Sequence, residues 1–381
     1  MIRRTSVKRI IIFALFIMVA CVEPYPPPAS ADQASFLVVD GFLNASAKSV
    51  SVKINHSIPL ASSVQYPAEE GATVSIEGDK GRSFTLSEVS EKGIYEAVDI
   101  EIDPAENYSL HIVTSAGRSY RSEYVEMRRA PVIDSVVWRP EPTGTRFYVN
   151  GHDPLNSTTY YRYLFTNTWE YRVPIYSFWK KVGGLPVFRN PDTEQVFTCW
   201  RTSNSTEILT ASTKRLTSDV VSMLPVNFIE KGSRELSRRY TINVQQRAIS
   251  EQEYEYWQLI RKTTESLGGL FDPLPSQVIG NVHNEDDANE QVLGYFSGGF
   301  VSEKRIFVSF YDLPDNLLVV NGWDFTCEGK FVPIGQPEQV GTYVFVEQIG
   351  QPPTGYSAFP ANCADCTSLG GENKPPPFWE K

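Results

Sequence analysis

The chain contains 381 residues, 21% of them charged, and has a formal net charge of −10 at pH 7. An acidic chain without a basic stripe repels phosphate backbones, so a nucleic-acid-binding function is excluded. The length allows about two or three ordinary domains.

Residues 1–20 have the pattern of a secretory signal peptide. Basic residues stand near the start, and an apolar run occupies residues 10–20. A basic region, a short apolar run and small residues before a break are typical of a cleaved export signal. The apolar run is about half the length that a bilayer-spanning helix needs, so a permanent transmembrane helix is not predicted here.

The sequence Met18-Val-Ala-Cys21 resembles a lipobox, in which a small residue precedes a cysteine that is acylated and becomes the new N-terminus. This motif predicts a lipid anchor on Cys21. Each buried methylene of an acyl chain contributes about 0.8 kcal/mol to membrane binding. The alternative is an ordinary cleaved signal that is followed by an unmodified cysteine.

Residues 21–34 form a proline-rich linker, which predicts an extended, semi-rigid spacer between the anchor and the body of the protein. No Asp follows Cys21 directly, so the inner-membrane retention signal familiar from enteric bacteria is missing. We therefore expect a lipid-anchored protein of the cell outer membrane, which is either periplasmic or surface-exposed.

Residues 35–128 show short apolar–polar alternations separated by turn sequences. Val50, Val52 and Ile54 alternate with polar residues, and Gly78-Asp-Lys-Gly81 is one of the turn sequences. Regular short strands with Gly and Asp turns are typical of antiparallel β-sandwiches. The segment predicts an N-terminal β-sandwich of immunoglobulin-like or transthyretin-like type.

Arg128-Arg-Ala-Pro131 predicts a hinge between this sandwich and the rest of the chain. Residues 129–381 then show a second, longer series of strand patterns, with a clear alternation over residues 160–171. We expect a larger β-sandwich domain here, interrupted by one helical insertion. The whole chain is therefore predicted to be mainly β.

The helical insertion is predicted at residues 251–267. Ser250 and Glu253 have the spacing of a capping box, in which each side chain bonds to a backbone N–H at the other's position. Apolar residues follow at helical spacing, and Gly268-Gly269 provides a stop signal.

Four cysteines follow the proposed anchor: Cys199, Cys327, Cys363 and Cys366. An exported protein with four such cysteines favours two disulfides. The Cys-x-x-Cys spacing of the last pair also suits a redox motif or half a zinc site. However, a redox motif belongs where a strand meets a helix, and this pair lies in a Pro/Gly-rich tail without a second close pair. Three connectivities remain open, and we expect each of Cys363 and Cys366 to join a distant cysteine.

Few side chains suggest chemistry. The histidines, at positions 56, 111, 152 and 283, form no known metal-binding pattern. Glu285, Asp286 and Asp287 are candidate calcium ligands, although acidic clusters of this kind are usually solvated loop tips, and the sequence predicts neither a metal nor another cofactor. Paired carboxylates of a glycoside hydrolase leave no local motif, so that class stays open.

A set of short motifs runs in a fixed order along the mature chain. It comprises the lipobox with its following Glu-Pro, Leu37-Val-Val-Asp-Gly41, residues 160–171 with their Trp-Glu-Tyr, Tyr254-Glu-Tyr-Trp257, Phe271-Asp-Pro-Leu-Pro-Ser276, Gly280-Asn281, Val292-Leu-Gly-Tyr-Phe296, and a tail with Cys363-x-x-Cys366, Gly371-x-Asn373 and Phe378-Trp379. Together these motifs resemble the bacterial lipoproteins called domain-of-unknown-function family 4249.

That family has no established activity or catalytic residue, so the resemblance implies neither. It implies a context, because members look like outer-membrane lipoproteins that are often encoded beside TonB-dependent transporters. The resulting hypothesis is a non-enzymatic accessory lipoprotein that docks on such a β-barrel transporter and captures a small-molecule, peptide or glycan ligand. A structural or assembly component of the envelope is the alternative, followed by a carboxylate-based hydrolase.

Overall fold

Alternating apolar and polar residues give most of this chain strands with one buried face. A computed structural model describes residues 36–58, 67–265, 280–318, 323 and 325–379. The signal peptide, Cys21, the linker and the predicted helix stop at Gly268-Gly269 lie outside these residues. Within the described ranges, strands dominate and one helix exceeds four residues, which confirms the prediction of a mainly β chain with a helical insertion.

The strands are numbered in chain order. They are β1 Leu37–Asn44, β2 Ser49–His56, β3 Thr73–Gly78, β4 Ser83–Glu88, β5 Ile94–Ala97, β6 Tyr108–Val113, β7 Ser119–Ser122, β8 Arg128–Arg129, β9 Ile133–Glu141, β10 Gly144–His152, β11 Tyr160–Arg172, β12 Trp179–Val182, β13 Leu185–Phe188, β14 Thr198–Asn204, β15 Leu209–Ser212, β16 Val220–Glu230, β17 Arg239–Ala248, β18 Val282–Asn284, β19 Leu293–Phe300, β20 Ser302–Ser309, β21 Lys330–Pro333, β22 Tyr343–Ile349 and β23 Gly355–Pro360.

Helical elements are few among the described residues. They are the α-helices α1 Glu251–Glu265 and α2 Ala361–Ala364, and the 3₁₀ helices Arg234–Leu236, Phe310–Asp312, Asp315–Leu317, Pro337–Val340 and Cys366–Leu369.

The first sheet has ten strands in the order β18-β7-β6-β3-β4-β5-β2-β1-β19-β8. It curls into a half-barrel around β4, which pairs with β3 along four residues but with β5 along two. Val50, Val52 and Ile54 of β2 are buried in the core of this sheet, whereas Ser51 and Lys53 face solvent. The alternation in the sequence therefore marks the inner face of the sheet.

One strand of this sheet comes from far along the chain. β19 lies between β1 and β8 and runs parallel to both, with Val38 opposite Leu293 and Asn44 opposite Gly299. Two of the ten strands thus come from residues 282–300, so a boundary after residue 128 does not enclose the sheet. The sheet is mixed rather than antiparallel, because the long chain excursion between β8 and β19 supplies the crossover that parallel pairing needs.

Two smaller sheets enclose a second core. One has the order β16-β10-β9, and the other has β14-β11-β17-β20 with β15 added to an end of β11. Tyr161, Tyr163 and Tyr240 are almost fully buried between them, together with Phe147 and Ile242. The aromatic alternation of residues 160–171 therefore reflects core packing.

The C-terminal unit consists of the hairpin β12–β13 and the three-stranded sheet β21-β23-β22. Its small core consists of Val332, Val340, Phe345 and Ala358, and Trp179 of the hairpin packs against this core. The following tail returns to the second core, where Trp200 and Glu372 form a β-bridge.

Candidate functional site

A cavity of about 230 Å³ lies where the first sheet meets the start of α1. Its lining comes from three parts of the chain. Tyr124 follows β7, and Tyr295 and Ser297 belong to β19. Gln252 and Glu253 lie in the first turn of α1. The insertion of β19 into the first sheet thus brings three distant segments to one site.

The cavity is lined in part by Glu253, a residue that is only 3% exposed. Ser250 Oγ accepts a hydrogen bond of 3.0 Å from the Glu253 backbone N–H, which is half of the predicted capping box. The Glu253 side chain points inward instead of completing the box, and its Oε1 accepts bonds from Trp257 Nε1 at 3.2 Å and Ser297 Oγ at 3.1 Å. Its Oε2 accepts no hydrogen bond from the described residues.

Two arginines lie close enough to this carboxylate for their charges to act on it. The guanidinium of Arg162 stacks 3.6 Å above the Trp257 ring, and that of Arg247 lies 3.5 Å above the Phe42 ring. Burial raises the pKa of Glu253, and the two arginine charges counteract that rise. Burial and the nearby Arg162 charge lower the pKa of Arg247 to about 9, and Arg247 Nε finds no hydrogen-bond partner in the described part of the chain.

The side chain of Asn281 holds one wall of the cavity through hydrogen bonds to the backbone of Phe296 in β19. Gly280 and Gly294 approach each other so closely that a Cβ on Gly280 would lie 1.7 Å from the Gly294 carbonyl oxygen. These two glycines and Asn281 explain why the Gly280-Asn281 and Val292-Leu-Gly-Tyr-Phe296 motifs occur together.

The rim of the cavity carries charged groups. Glu126 pairs with Arg128 at 2.7 Å, and Glu123 lies 3.8 Å from His283. With Glu253, the lining has three carboxylates and one guanidinium, and the Arg162 and Arg247 charges act on Glu253 from outside the lining. Charges of both signs therefore surround the cavity.

A second feature is an exposed apolar surface on the hairpin β12–β13. Val182 and Leu185 lie opposite each other at its tip and are 50% and 59% exposed, and Val187 on the same face is 39% exposed. We call these three residues the hairpin face. Gly183 and Gly184 form the turn with φ values of 57° and 88°, as a tight two-residue hairpin requires.

The opposite face of the hairpin is anchored. The Trp179 ring packs against Tyr356 with 5.1 Å between centroids, and Ser177 Oγ donates a bond of 2.8 Å to the Phe345 carbonyl. The hairpin is therefore packed against the three-stranded sheet through Trp179, on the face opposite the hairpin face.

The predicted disulfide candidates form two bonds. Cys199 joins Cys366 across 167 residues, and Cys327 joins Cys363 across 36 residues. Each cysteine of the Cys-x-x-Cys pair thus joins a distant cysteine, and the bonds connect the tail to β14 and to the segment before β21. The proposed lipidation site Cys21 lies outside the described residues.

The candidate metal ligands serve the turn before β19. Glu285 pairs with Arg121 at 2.7 Å, Asp287 Oδ1 accepts the Asn289 N–H at 2.9 Å, and the Asp286 N–H donates to Asn284. In the described ranges, His, Cys, Asp and Glu side chains form no group of three or more that suits a metal ion.

The histidines lie apart from one another, each beside a carboxylate. His56 contacts Glu69 at 2.7 Å, and His152 contacts Asp134 at 2.7 Å, which raises the pKa of His152. His111 lies 3.4 Å from the Glu77 carboxylate on the outer face of the first sheet. The described histidines therefore contact separate carboxylates and do not form one shared site.

Sequence reasoning missed the role of Glu253 and the cavity. The available signal was the spacing of Glu253 and Trp257, which places an indole N–H one helical turn from a carboxylate. Nothing local indicated Ser297, because its approach depends on the parallel insertion of β19.

These features define a multi-sheet β protein with a partly enclosed cavity lined by charged groups and a disulfide-linked C-terminal unit. None of the helices that the structure describes combines the length and the apolar character required to cross a bilayer. The chain belongs to the family described as "Domain of unknown function (DUF4249)", whose profile matches residues 22–305. No match was found among curated proteins.

Two solved structures show partial similarity. A segment of two fibronectin type III domains from chicken tenascin matches 56% of this chain and 89% of its own length, with 11% identity and a TM-score of 0.16. A DUF4785 family protein from Legionella pneumophila matches 54% of this chain and 49% of its own length, with 10% identity and a TM-score of 0.18.

Proposed function

We propose that this protein is a non-enzymatic accessory lipoprotein of the bacterial outer membrane, anchored through Cys21. In this role it docks on a TonB-dependent β-barrel transporter and brings a ligand to it. The export signal, the lipobox and the proline-rich linker support the location.

The hairpin face is the observation that carries the docking role. Contiguous apolar side chains on a surface mark contact sites, because each Å² removed from water contributes about 25 cal/mol. Val182 and Leu185 project from the tip of a two-stranded ribbon, where a partner can reach them from several sides.

Contacts at the base of the hairpin favour binding, since a surface that is already held in place loses little entropy on contact. The Ile175 N–H donates a bond of 3.0 Å to the carbonyl of Cys363, which is itself fixed by the disulfide to Cys327. The disulfide between Cys327 and Cys363 therefore helps to hold the base of the hairpin in place.

Co-purification tests this role. The full-length tagged chain is purified from detergent-solubilised outer membranes, and we expect a β-barrel transporter to accompany it. A Val182→Ser, Leu185→Ser variant should lose that partner, because its docking surface becomes polar.

A matched control uses Val98→Ser with Leu216→Ser, which alters the same residue types at positions that are 69% and 57% exposed elsewhere. This control should retain the partner. A wild-type chain that purifies alone would contradict the proposal, as would a hairpin variant that keeps its partner. Recovery of an envelope-assembly protein in place of a transporter would favour the assembly role.

A further inference from the structure

We propose that the cavity at the start of α1 binds the primary ammonium group of a small organic ligand, with Glu253 as the acceptor. This inference rests on the ligand-capture part of the proposed function and names the class of ligand. It does not depend on the hairpin face or on a docking partner.

The first argument is the incomplete hydrogen bonding of a buried carboxylate. Trp257 and Ser297 both donate to Oε1 of Glu253, and Oε2 has no donor in the described part of the chain. In contrast to Arg247 Nε, this oxygen is not fully buried, so it keeps some accessible surface. A carboxylate that is largely removed from water favours donors on both of its oxygens. A ligand that donates to Oε2 completes the set.

The nearby protein cations do not take this position. Arg162 and Arg247 stack on the rings of Trp257 and Phe42, and neither guanidinium donates a hydrogen bond to Glu253 in the described structure. Arg128 on the rim pairs with Glu126. The open oxygen therefore remains available to a ligand.

The arrangement distinguishes between classes of cation. A guanidinium binds a carboxylate best through two parallel bonds, but Oε1 is already occupied, so a single-point ammonium donor fits better. A divalent metal ion requires several oxygen ligands, and the described residues provide no such group. An anionic ligand does not suit the open oxygen, because an ionised carboxylate only accepts hydrogen bonds and offers an anion no donor.

The rest of the lining suits a compact, polar amine. Tyr124 and Tyr295 line the cavity, and aromatic faces attract cations. The volume of about 230 Å³ is smaller than a pocket for a drug-sized molecule, which spans about 300–1,000 Å³. The ammonium group therefore belongs to a small molecule or to the end of a larger one.

Calorimetric titration of the purified protein tests the inference with matched pairs. The probes are glucosamine and glucose, glycinamide and glycolamide, and butylamine and butanol, each at a pH that keeps the amine protonated. We expect at least one amine to bind about tenfold or more tightly than its hydroxyl counterpart, as a charge-assisted bond implies. If none of the amines binds more tightly than its counterpart, the inference is overturned.

Substitutions of single glutamates test whether the preference for the amine arises at Glu253. Glu253→Gln should abolish the preference for the amine, while Glu255→Gln, on the exposed side of the same helix, should preserve it. If Glu253→Gln does not fold, Glu123→Gln on the rim provides the second variant, with an expected two- to threefold loss of amine affinity that reflects a screened charge. An unchanged preference in the folded Glu253→Gln protein, or unchanged affinity in Glu123→Gln, would contradict the site.

The hairpin variant separates this inference from the docking role. Val182→Ser with Leu185→Ser should bind the amine like the wild type, because the hairpin does not line the cavity. Loss of docking with intact amine binding would leave the cavity assignment standing, and loss of amine binding alone would leave docking standing.

Discussion

Asn281 bonds both backbone groups of Phe296. Its Nδ2 donates to the Phe296 carbonyl at 2.7 Å, and its Oδ1 accepts the Phe296 N–H at 2.8 Å. A side-chain amide thus takes the place of a neighbouring strand beside β19. It fixes one wall of the cavity, since Ser297 follows Phe296 directly.

Asn281→Ala should therefore destabilise the protein. Two buried backbone groups would lose their partners, at about 1–3 kcal/mol for each group. Urea unfolding measures the free energy. Asn289→Ala, at an exposed position nearby, should change it by no more than about 0.5 kcal/mol. Equal effects of the two substitutions would contradict the role of Asn281.

Gly294 permits the close packing of β19 against β1. Its φ is 117°, and a Cβ there would lie 1.8 Å from the carbonyl oxygen of Val39. We expect Gly294→Ala to lower the free energy of unfolding by about 3 kcal/mol or more, because strain and a backbone clash combine.

Gly117→Ala provides the control for this effect. Gly117 also has a positive φ, of 79°, but open space surrounds its Cβ position. The free energy of unfolding of this variant should fall by only about 1 kcal/mol, which is the cost of the backbone conformation alone. A similar loss in both variants would show that the contact with Val39 is unimportant.

The two disulfides should differ in their contribution to stability. In the loop-entropy description, a cross-link stabilises more when it closes a longer loop, and single bonds contribute about 2–5 kcal/mol. Cys199–Cys366 closes 167 residues and Cys327–Cys363 closes 36. Replacing both Cys199 and Cys366 by Ser should therefore lower the free energy of unfolding by about 1 kcal/mol more than replacing both Cys327 and Cys363. Denaturant titration measures both, and the reverse order would contradict this account.

Asp153 should make stability depend on pH in the acid range. Burial alone would raise the pKa of Asp153, but bonds from the N–H groups of Leu155, Ser157 and Thr158 and from the Ser157 hydroxyl outweigh it and lower that pKa to about 2. A carboxyl whose pKa is lowered by folding stabilises the protein at pH values above the ordinary pKa of that carboxyl, which is 3.8. This stability disappears as the pH falls towards 2.

Asp153→Asn should accordingly flatten the acid limb of the stability profile. We expect the wild type to lose about 1–2 kcal/mol more than the variant between pH 5 and pH 2, measured by urea unfolding at each pH. Asp192→Asn, at an exposed loop position, serves as the control and should follow the wild type. Parallel profiles for the wild type and Asp153→Asn would rule out this source of pH dependence.

Local patterns predicted much of the fold. The alternation of Val50, Val52 and Ile54 identified a strand and its buried face, and Ser250 marked the start of α1. The site was harder to predict, because Glu253 has the spacing of a capping residue and becomes a buried carboxylate only through its contacts with Trp257 and Ser297.

The sequence by itself determined the mainly β character, the position of the long helix, and the four cysteines that follow the lipobox motif. Tertiary structure alone decided that β19 joins the first sheet, that Cys199 meets Cys366, and that the buried Glu253 lines a cavity. The physical reason is that residue periodicity encodes which face of a strand is buried, a property of neighbouring residues. The choice of a partner strand depends on packing between segments that are hundreds of residues apart.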